Sequence, residues 1–295
     1  MKEILTQTNK SVALALGFFD SLHIVHRKII GNAIKYAQSH GCESAVFTFK
    51  DNGISRFKGD MIYVYEERKK LMDEIGVDNV IPFVFNEECM TTPKDKFLKK
   101  ITDLVDVKAI FCGYDFTFGY KGEGNVEYLS TYCKQNGIDL FVTEKESAFN
   151  DKISSSMIKS FLLKGKIEEA NRLLFSPYSI TSKVIKGRGV GHLFGVPTAN
   201  LLLERNKLII KEGVYGTYIT VNGKEYVSVT NVGKKPTFND MTISIETLIK
   251  DFDSDIYGET VTVVFIKYLR DIKKFDLKED LRDQIAKDMN WEKAL

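Results

Sequence analysis

The sequence predicts two domains of different class: an α/β domain built on a parallel sheet, then a small antiparallel β-barrel with a C-terminal helix. Three observations carry this expectation. From Ser11 to about Leu174 short apolar runs alternate with segments of helical period; from Ile180 the texture turns to β; and 295 residues exceed what one core usually serves. The break falls at FSPYS, where Pro177 interrupts, which gives domains at 1–175 and 176–295.

In the first domain VALALGFF is an unbroken apolar run of the kind buried on both faces of a sheet. HRKIIGNAIKYAQSH follows it, with Ile30, Ala33, Ile34 and Ala37 along one helix face. The alternation continues with SAVFTF as strand, YEERKKLMDEI as helix stopped by Gly76, NVIPFVF as strand and PKDKFLKKITDL as helix. VKAIFCG is then a strand, VEYLSTYCKQN a helix stopped by Gly137, and DLFVTEK a strand. Parallel neighbours need crossovers, so repeated strand and helix units predict a parallel sheet covered by helices. Ligands of such sheets bind beyond the carboxyl ends of the strands. ISSSMIKSFLLKGKIEEANRLL reads as one helix that closes the domain.

The second domain shows five β runs: SITSKVIKG, GVYGTYITV, KEYVSVTNV, ISIETLIKD and TVTVVFIKYL. Two of them flank Asn222-Gly223, a strong hairpin signal because a type I′ turn needs positive φ at both central residues. Short runs parted by glycine-rich turns predict a small barrel, and LKEDLRDQIAKDM is a helix expected to pack against it.

Forty-two Lys and Arg stand against forty Asp and Glu, a formal charge of +2, so no global field draws the chain onto nucleic acid or an anionic membrane. Acidic runs such as EKES and DFDSDIYGE also argue against a nucleic-acid-binding barrel, which would carry a basic stripe with exposed aromatics. MKEILTQTNKSV lacks the pattern of a signal peptide and there is no long apolar span, so a cytoplasmic protein is expected. Cys42, Cys89, Cys112 and Cys133 are widely spaced with no CxxC, which predicts reduced, mostly buried thiols rather than zinc ligands or disulfides.

Four stretches are candidate sites. In GFFDSLHIVHRKII, a strand runs through a turn into a helix with His23 just before it and His26 in its first turn. Imidazole donors beside the positive helix end could hold a triphosphate; the alternative is two histidines at a helix start with no ligand. In ISSSMIKSFL, serines that cap a helix are the commoner explanation, yet Lys159 one turn on could reach an anion at the same helix start. KGRGVGHLFGVPTANL offers Gly187, Gly189, Gly191 and Gly195 for close approach to phosphate. Its Thr198 and Asn200 supply oxygens for a hard cation, and a plain glycine-rich turn is the alternative. In SIETLIKDF, alternation puts Glu246 on one face with Ser244 and Leu248, either solvent-facing or as a base.

Together these stretches resemble the bacterial bifunctional riboflavin kinase and FAD synthetase family, in the right order over nearly the whole chain. GVPTAN, EGVYGTYI, NVGKKPTF, IETLIKDF and IYGETVTVVFIKYLR are similar to its flavokinase module, a six-stranded antiparallel Greek-key barrel. The resemblance implies phosphoryl transfer from ATP to riboflavin, giving FMN. Thr198 and Asn200 would bind Mg²⁺ and ATP, Gly189, Gly191 and Gly195 the nucleotide, and Glu246 would be the general base; Arg270 would help close the flavin pocket or cap the barrel. The first half resembles the family's FMN adenylyltransferase module, a Rossmann-like nucleotidyltransferase. It implies transfer of AMP from ATP to FMN, giving FAD and pyrophosphate. Gly17, Phe19, His23, His26, Ser155, Ser156 and Lys159 fall on nucleotide-binding positions of its motifs.

This chain departs from the family pattern around the adenylyltransferase motifs. Ser21 and Val25 replace glycines of GxFDGVHxGH, Lys159 replaces an arginine of ISSTxIR, FKDNG replaces a loop with proline and histidine, and Thr117 replaces the arginine of DFRFG. A kinase whose first domain binds nucleotide or flavin without chemistry is therefore the alternative reading. The expected partners are flavins and ATP, with no nucleic acid and no membrane, and self-association is compatible with the sequence.

Overall fold

The computed structural model describes residues 1–50, 60–186, 198–203, 206–236 and 241–294. They fall into two units, Met1–Ser155 and Ser156–Leu295. The first runs β1 (Lys2–Glu3), β2 (Ser11–Leu16), α1 (Ile24–His40), β3 (Glu43–Lys50), α2 (Tyr65–Ile75) and β4 (Asn79–Val84). It continues through α3 (Glu87–Thr91), α4 (Lys94–Thr102), β5 (Asp106–Gly113), α5 (Val126–Asn136), β6 (Asp139–Thr143) and the short hairpin of β7 (Ser147–Ala148) and β8 (Asp151–Lys152).

Six strands form one sheet in the order β1-β4-β3-β2-β5-β6, with every pair parallel. Val12 to Leu16 of β2 are at most 1% exposed, as an apolar run covered on both faces must be. Leu14, Leu16, Phe47, Ile81, Phe97 and Ile110 share one core. From β2 the chain passes to β3 on one side, while β5 pairs on the other. The crevice beyond the carboxyl ends of β2 and β5 is thus the topological switch point, where open α/β sheets bind their ligands.

After Ser155, the last residue of the first unit and the first of α6 (Ser155–Leu163), the second unit holds the rest of that helix, then α7 (Ile167–Leu173), β9 (Ser179–Ile185), β10 (Thr198–Leu201) and β11 (Gly213–Val221). β12 (Lys224–Pro236), β13 (Met241–Ile249), β14 (Thr260–Arg270) and α8 (Lys278–Asp288) follow. The single helix expected after Ile153 is two. Gly165 takes φ +73°, its N–H bonds Leu162 O at 3.2 Å, and the Lys166 N–H bonds Phe161 O at 2.9 Å, a closure that ends α6.

The barrel closes in the order β10-β13-β12-β11-β14-β9, all antiparallel. β11, β12 and β13 form a meander and β14 returns beside β11, which is a Greek key. Asn222 and Gly223 both take positive φ at the hairpin between β11 and β12. Inside, Thr217, Ser228, Thr230 and Thr247 are fully buried and satisfy one another at 2.8–2.9 Å beside Tyr215 and Phe265. Trp291, in a 3-10 turn after α8, donates its Nε1 proton to Ser228 O at 3.0 Å.

Candidate active sites

Between β2 and α1 the chain turns through Gly17 to Leu22. Phe19 (φ 54°) and Leu22 (φ 45°) lie in the left-handed region, which non-glycine residues keep only where their surroundings hold them. Here several contacts do. Phe19 folds back over Gly17, where a Cβ would stand 2.7 Å from the ring, so only glycine fits. Asp20 Oδ1 accepts from the Ile62 N–H at 2.9 Å. Arg68, fully buried, donates to Phe18 O at 3.1 Å, Thr48 Oγ1 at 2.6 Å, Phe49 O at 2.7 Å and Tyr63 O at 3.2 Å. Thr48 in turn donates to Phe18 O at 2.7 Å.

This loop delivers His23 to the N-cap of α1, where its Nδ1 accepts the His26 N–H at 3.2 Å. An accepting Nδ1 assigns the ring proton of neutral His23 to Nε2. The two imidazoles stack 3.6 Å apart, and Phe19 meets His26 edge-on at 5.1 Å. Burial lowers His23 to about 4, and burial followed by the charge of His23 holds His26 well below its usual 6.5. Both rings are therefore neutral donors near neutral pH. Among the described residues the Nδ1 of His26, which is buried, meets no hydrogen-bond partner.

A cavity of about 370 Å³ opens at this switch point. Gly17, Phe19, His23, Val25 and His26 line it with residues 113–117 beyond β5, residues 143–146, and Lys152 to Ser155. The Lys152 ammonium pairs with the Asp115 carboxylate, which raises the lysine's pKa, and lies 5.0 Å from the Tyr114 ring. Ser21 is fully buried and its Oγ lies 3.0 Å from Ser155 Oγ. Of the nucleotide-binding positions expected here, Gly17, Phe19, His23, His26 and Ser155 thus meet around one cavity. Ser156, exposed, and Lys159, half-buried, lie on α6 in the second unit. The FKDNG loop extends beyond the described residues.

In the barrel, Glu246 on β13 stands opposite Asn200 of β10 on one side and Asn231 of β12 on the other. Ile245, Thr247 and Ile249 are buried, so Glu246 shares the other face with Ser244 and Leu248. Ser244 Oγ donates to Glu246 Oε1 at 3.1 Å. A cavity of about 270 Å³ covers this face, lined by Thr198, Asn231, Glu246, Leu248 and Arg270, with Phe275, Leu281 and Ile285 above. A second cavity, of about 310 Å³, is lined by Val184, Thr198, Ala199, Ile249 and residues 252–257. Among the described residues Thr198 is the one that lines both.

Arg270 grips Asp288 of α8 through Nε at 3.0 Å and Nη2 at 2.7 Å, and Gln284 donates to the same carboxylate at 2.8 Å. Arg270 therefore both lines the Glu246 cavity and pins the helix that roofs it. Asn200 Nδ2 makes a long bond to Thr198 O at 3.4 Å. Gly189, Gly191 and Gly195 lie outside the described residues.

The family described as FAD synthetase matches residues 5–157, and that described as riboflavin kinase matches residues 174–295. The bifunctional riboflavin kinase/FMN adenylyltransferase of Listeria monocytogenes is 33% identical over 96% of this chain and 91% of its own length. The chain belongs to that bifunctional family. The enzyme of the same name from Bacillus subtilis is also 33% identical, over 95% of this chain and 90% of its own. A solved structure described as a macrolide-efflux protein from Streptococcus pneumoniae superposes with a TM-score of 0.85 at 29% identity, covering 97% of this chain and 94% of that one. The chain thus carries both domains of a two-step flavin transferase, which favours the bifunctional reading over a kinase alone. Among the described residues no helix is long and apolar enough to cross a membrane.

Two features escaped sequence reading. Arg68 sits in EERKK, a charge run that reads as a solvated helix face, and no local signal marks it as buried. The contact between Ser21 and Ser155 spans 134 positions and is visible only once β2 and the start of α6 are placed.

Proposed function

We propose that the barrel phosphorylates riboflavin with ATP to give FMN, and that the switch-point cavity of the first unit adenylylates FMN to FAD with release of pyrophosphate. The observation that carries the kinase assignment is Thr198, shared by two cavities of which one holds Glu246. Riboflavin occupies the cavity under α8 and ATP the other, so the ribityl hydroxyl and the γ-phosphoryl group meet at Thr198. Glu246 accepts the proton of that hydroxyl as its oxygen attacks phosphorus, and ADP leaves. Ser244 holds the carboxylate in place. Thr198 and Asn200 supply neutral oxygens only, so they would hold a Mg²⁺ together with the nucleotide, and the ion would supply charge neutralisation there. A nucleotide-binding role for Gly189, Gly191 and Gly195 rests on the family resemblance of their stretch alone, and Arg270 keeps the flavin cavity roofed.

At the other site adenylyl transfer needs no nucleophile from the enzyme. The FMN phosphate attacks the α-phosphorus of ATP and pyrophosphate departs, so the chain's task is to align the groups and hold their charge. His23 and His26 act as neutral donors at the N-terminus of α1, and Ser155, which lines the same cavity, supplies a further hydroxyl contact. The charge balance supports small-molecule partners rather than nucleic acid.

A product assay on the full chain tests both halves. It is incubated with ATP and Mg²⁺ plus riboflavin or FMN, under air and with reduced flavin. Expected are FMN from riboflavin and FAD from FMN, with Glu246→Gln lowering FMN formation by about 10²–10⁴ and leaving FAD formation from supplied FMN intact. FMN without FAD under every condition would sink the adenylyltransferase reading, and full kinase activity in Glu246→Gln would sink the base.

A further inference from the structure

Where the family pattern has a glycine this chain has Ser21, fully buried, with its hydroxyl 3.0 Å from that of Ser155. The pairing has a direction. A buried O–H must find an acceptor, since leaving it unmet is costly. Among the described residues Ser155 Oγ is the only partner of Ser21 Oγ, so Ser21 donates and Ser155 accepts. Ser155, half-buried, lines the switch-point cavity with His23 and His26. Because its lone pair is engaged by Ser21, its own proton is free for a ligand, and accepting one bond strengthens the one it donates.

We propose that Ser21 is a positioning residue for adenylyl transfer: it fixes the Ser155 hydroxyl so that its proton faces a phosphate oxygen in the cavity. This rests on the adenylyltransferase reading above. Ser21 does not touch substrate; it acts through Ser155. In its absence the Ser155 hydroxyl samples several rotamers, and one charge-assisted donor is no longer aligned in advance.

The test uses the full chain as wild type, Ser21→Ala, Ser21→Gly, Ser155→Ala and Ser21→Ala/Ser155→Ala. Two readouts are taken: steady-state FAD formation, and calorimetric binding of pyrophosphate, which does not depend on turnover. Ser21→Ala and Ser21→Gly are expected to lower kcat/KM for ATP in FAD formation, and the affinity for pyrophosphate, each about tenfold. KM for FMN and FMN production from riboflavin should stay unchanged. The double variant should match Ser155→Ala, because Ser21 has no route to the ligand except through Ser155. A purely structural role predicts instead a lower melting temperature with unchanged kinetics, or a loss that adds to that of Ser155→Ala, and either result overturns the proposal. If the wild type binds pyrophosphate but makes no FAD, the adenylyltransferase reading falls while the binding arm still decides on Ser21. Unchanged pyrophosphate affinity in Ser21→Ala rejects the positioning role whatever the activity.

Discussion

Replacing Arg68 by Met tests whether a buried cation holds the loop that carries His23. Met keeps most of the buried volume, so the change acts through hydrogen bonds more than through a void. Phe18 O retains the Thr48 hydroxyl at 2.7 Å, but Tyr63 O and Phe49 O lose the bonds at 3.2 and 2.7 Å that Arg68 gives them. A buried group deprived of its partner costs about 1–3 kcal/mol. The lost charge-assisted bonds, offset in part because a guanidinium no longer has to leave water, come to about 3 kcal/mol. For a unit of this size that is a fall in melting temperature of about 6–12 °C. Trp291 is the chain's one tryptophan, buried in the second unit, so its fluorescence follows the barrel while far-ultraviolet circular dichroism follows both units. The expected result is an earlier dichroism transition, an unshifted Trp291 transition, and FAD formation reduced more than FMN formation. A melting shift below about 2 °C with FAD formation intact would refute the idea that Arg68 props the loop.

Acidification should destabilise the first unit through its histidines. His23 titrates near 4 when folded against about 6.5 when unfolded, so the unfolded chain binds a proton first; stability is full above about pH 6.5, and about 2 kcal/mol is lost by about pH 5. His26 acts in the same direction. Urea denaturation followed by circular dichroism at the two pH values checks this, and a pH dependence unchanged in His23→Gln would refute the assignment. At the other site, Asp288→Asn removes one half of the ion pair that holds α8, where Arg270 and Asp288 are only 17% and 6% exposed, a change that costs about 3 kcal/mol. KM for riboflavin should rise about tenfold with KM for ATP unchanged and Trp291 emission shifted to the red, and an unaltered riboflavin KM would show that α8 does not roof the flavin cavity.

The sheet and barrel were legible because their strands are long enough to show a period, and the switch from alternating strand and helix to β texture marks the change of class. β1, with two residues, and α3, with five, are too short to show one. The sixth barrel strand, Thr198–Leu201, hid inside a stretch whose composition reads as a binding motif. It is both, because pairing with β13 is what sets Asn200 beside Glu246. The expected long helix failed at Gly165, where tolerance of positive φ outweighed the apolar period on either side. His23 and His26 could be placed at a helix start from sequence. Their neutrality could not, since it comes from burial under Phe19 and against each other.

That neutrality changes how the departures from the family pattern are understood. The arginine of DFRFG is Thr117 here, exposed, and of the two lysines that line the cavity Lys152 is already paired with Asp115. Asp115, Glu144 and Glu146 face the cavity along with Lys145 and Lys152, so fixed charge does not favour an anion there. Among the described residues that line this cavity, phosphate affinity then rests on neutral donors: imidazole N–H groups, the Ser155 hydroxyl and the N–H groups at the start of α1. Such donors are worth little unless aimed beforehand, because each must be better than the water it displaces. Ser21 fits this requirement. It is absent from the positive-φ residues, which are Phe19 and Leu22 in this loop, so its Cβ brings no backbone strain. In its place the chain gains a hydroxyl that orients another hydroxyl. A site that has lost a cation and gained an aligned donor has exchanged long-range attraction for short-range geometry, and its activity should be more sensitive to the packing of the loop than to the surrounding salt.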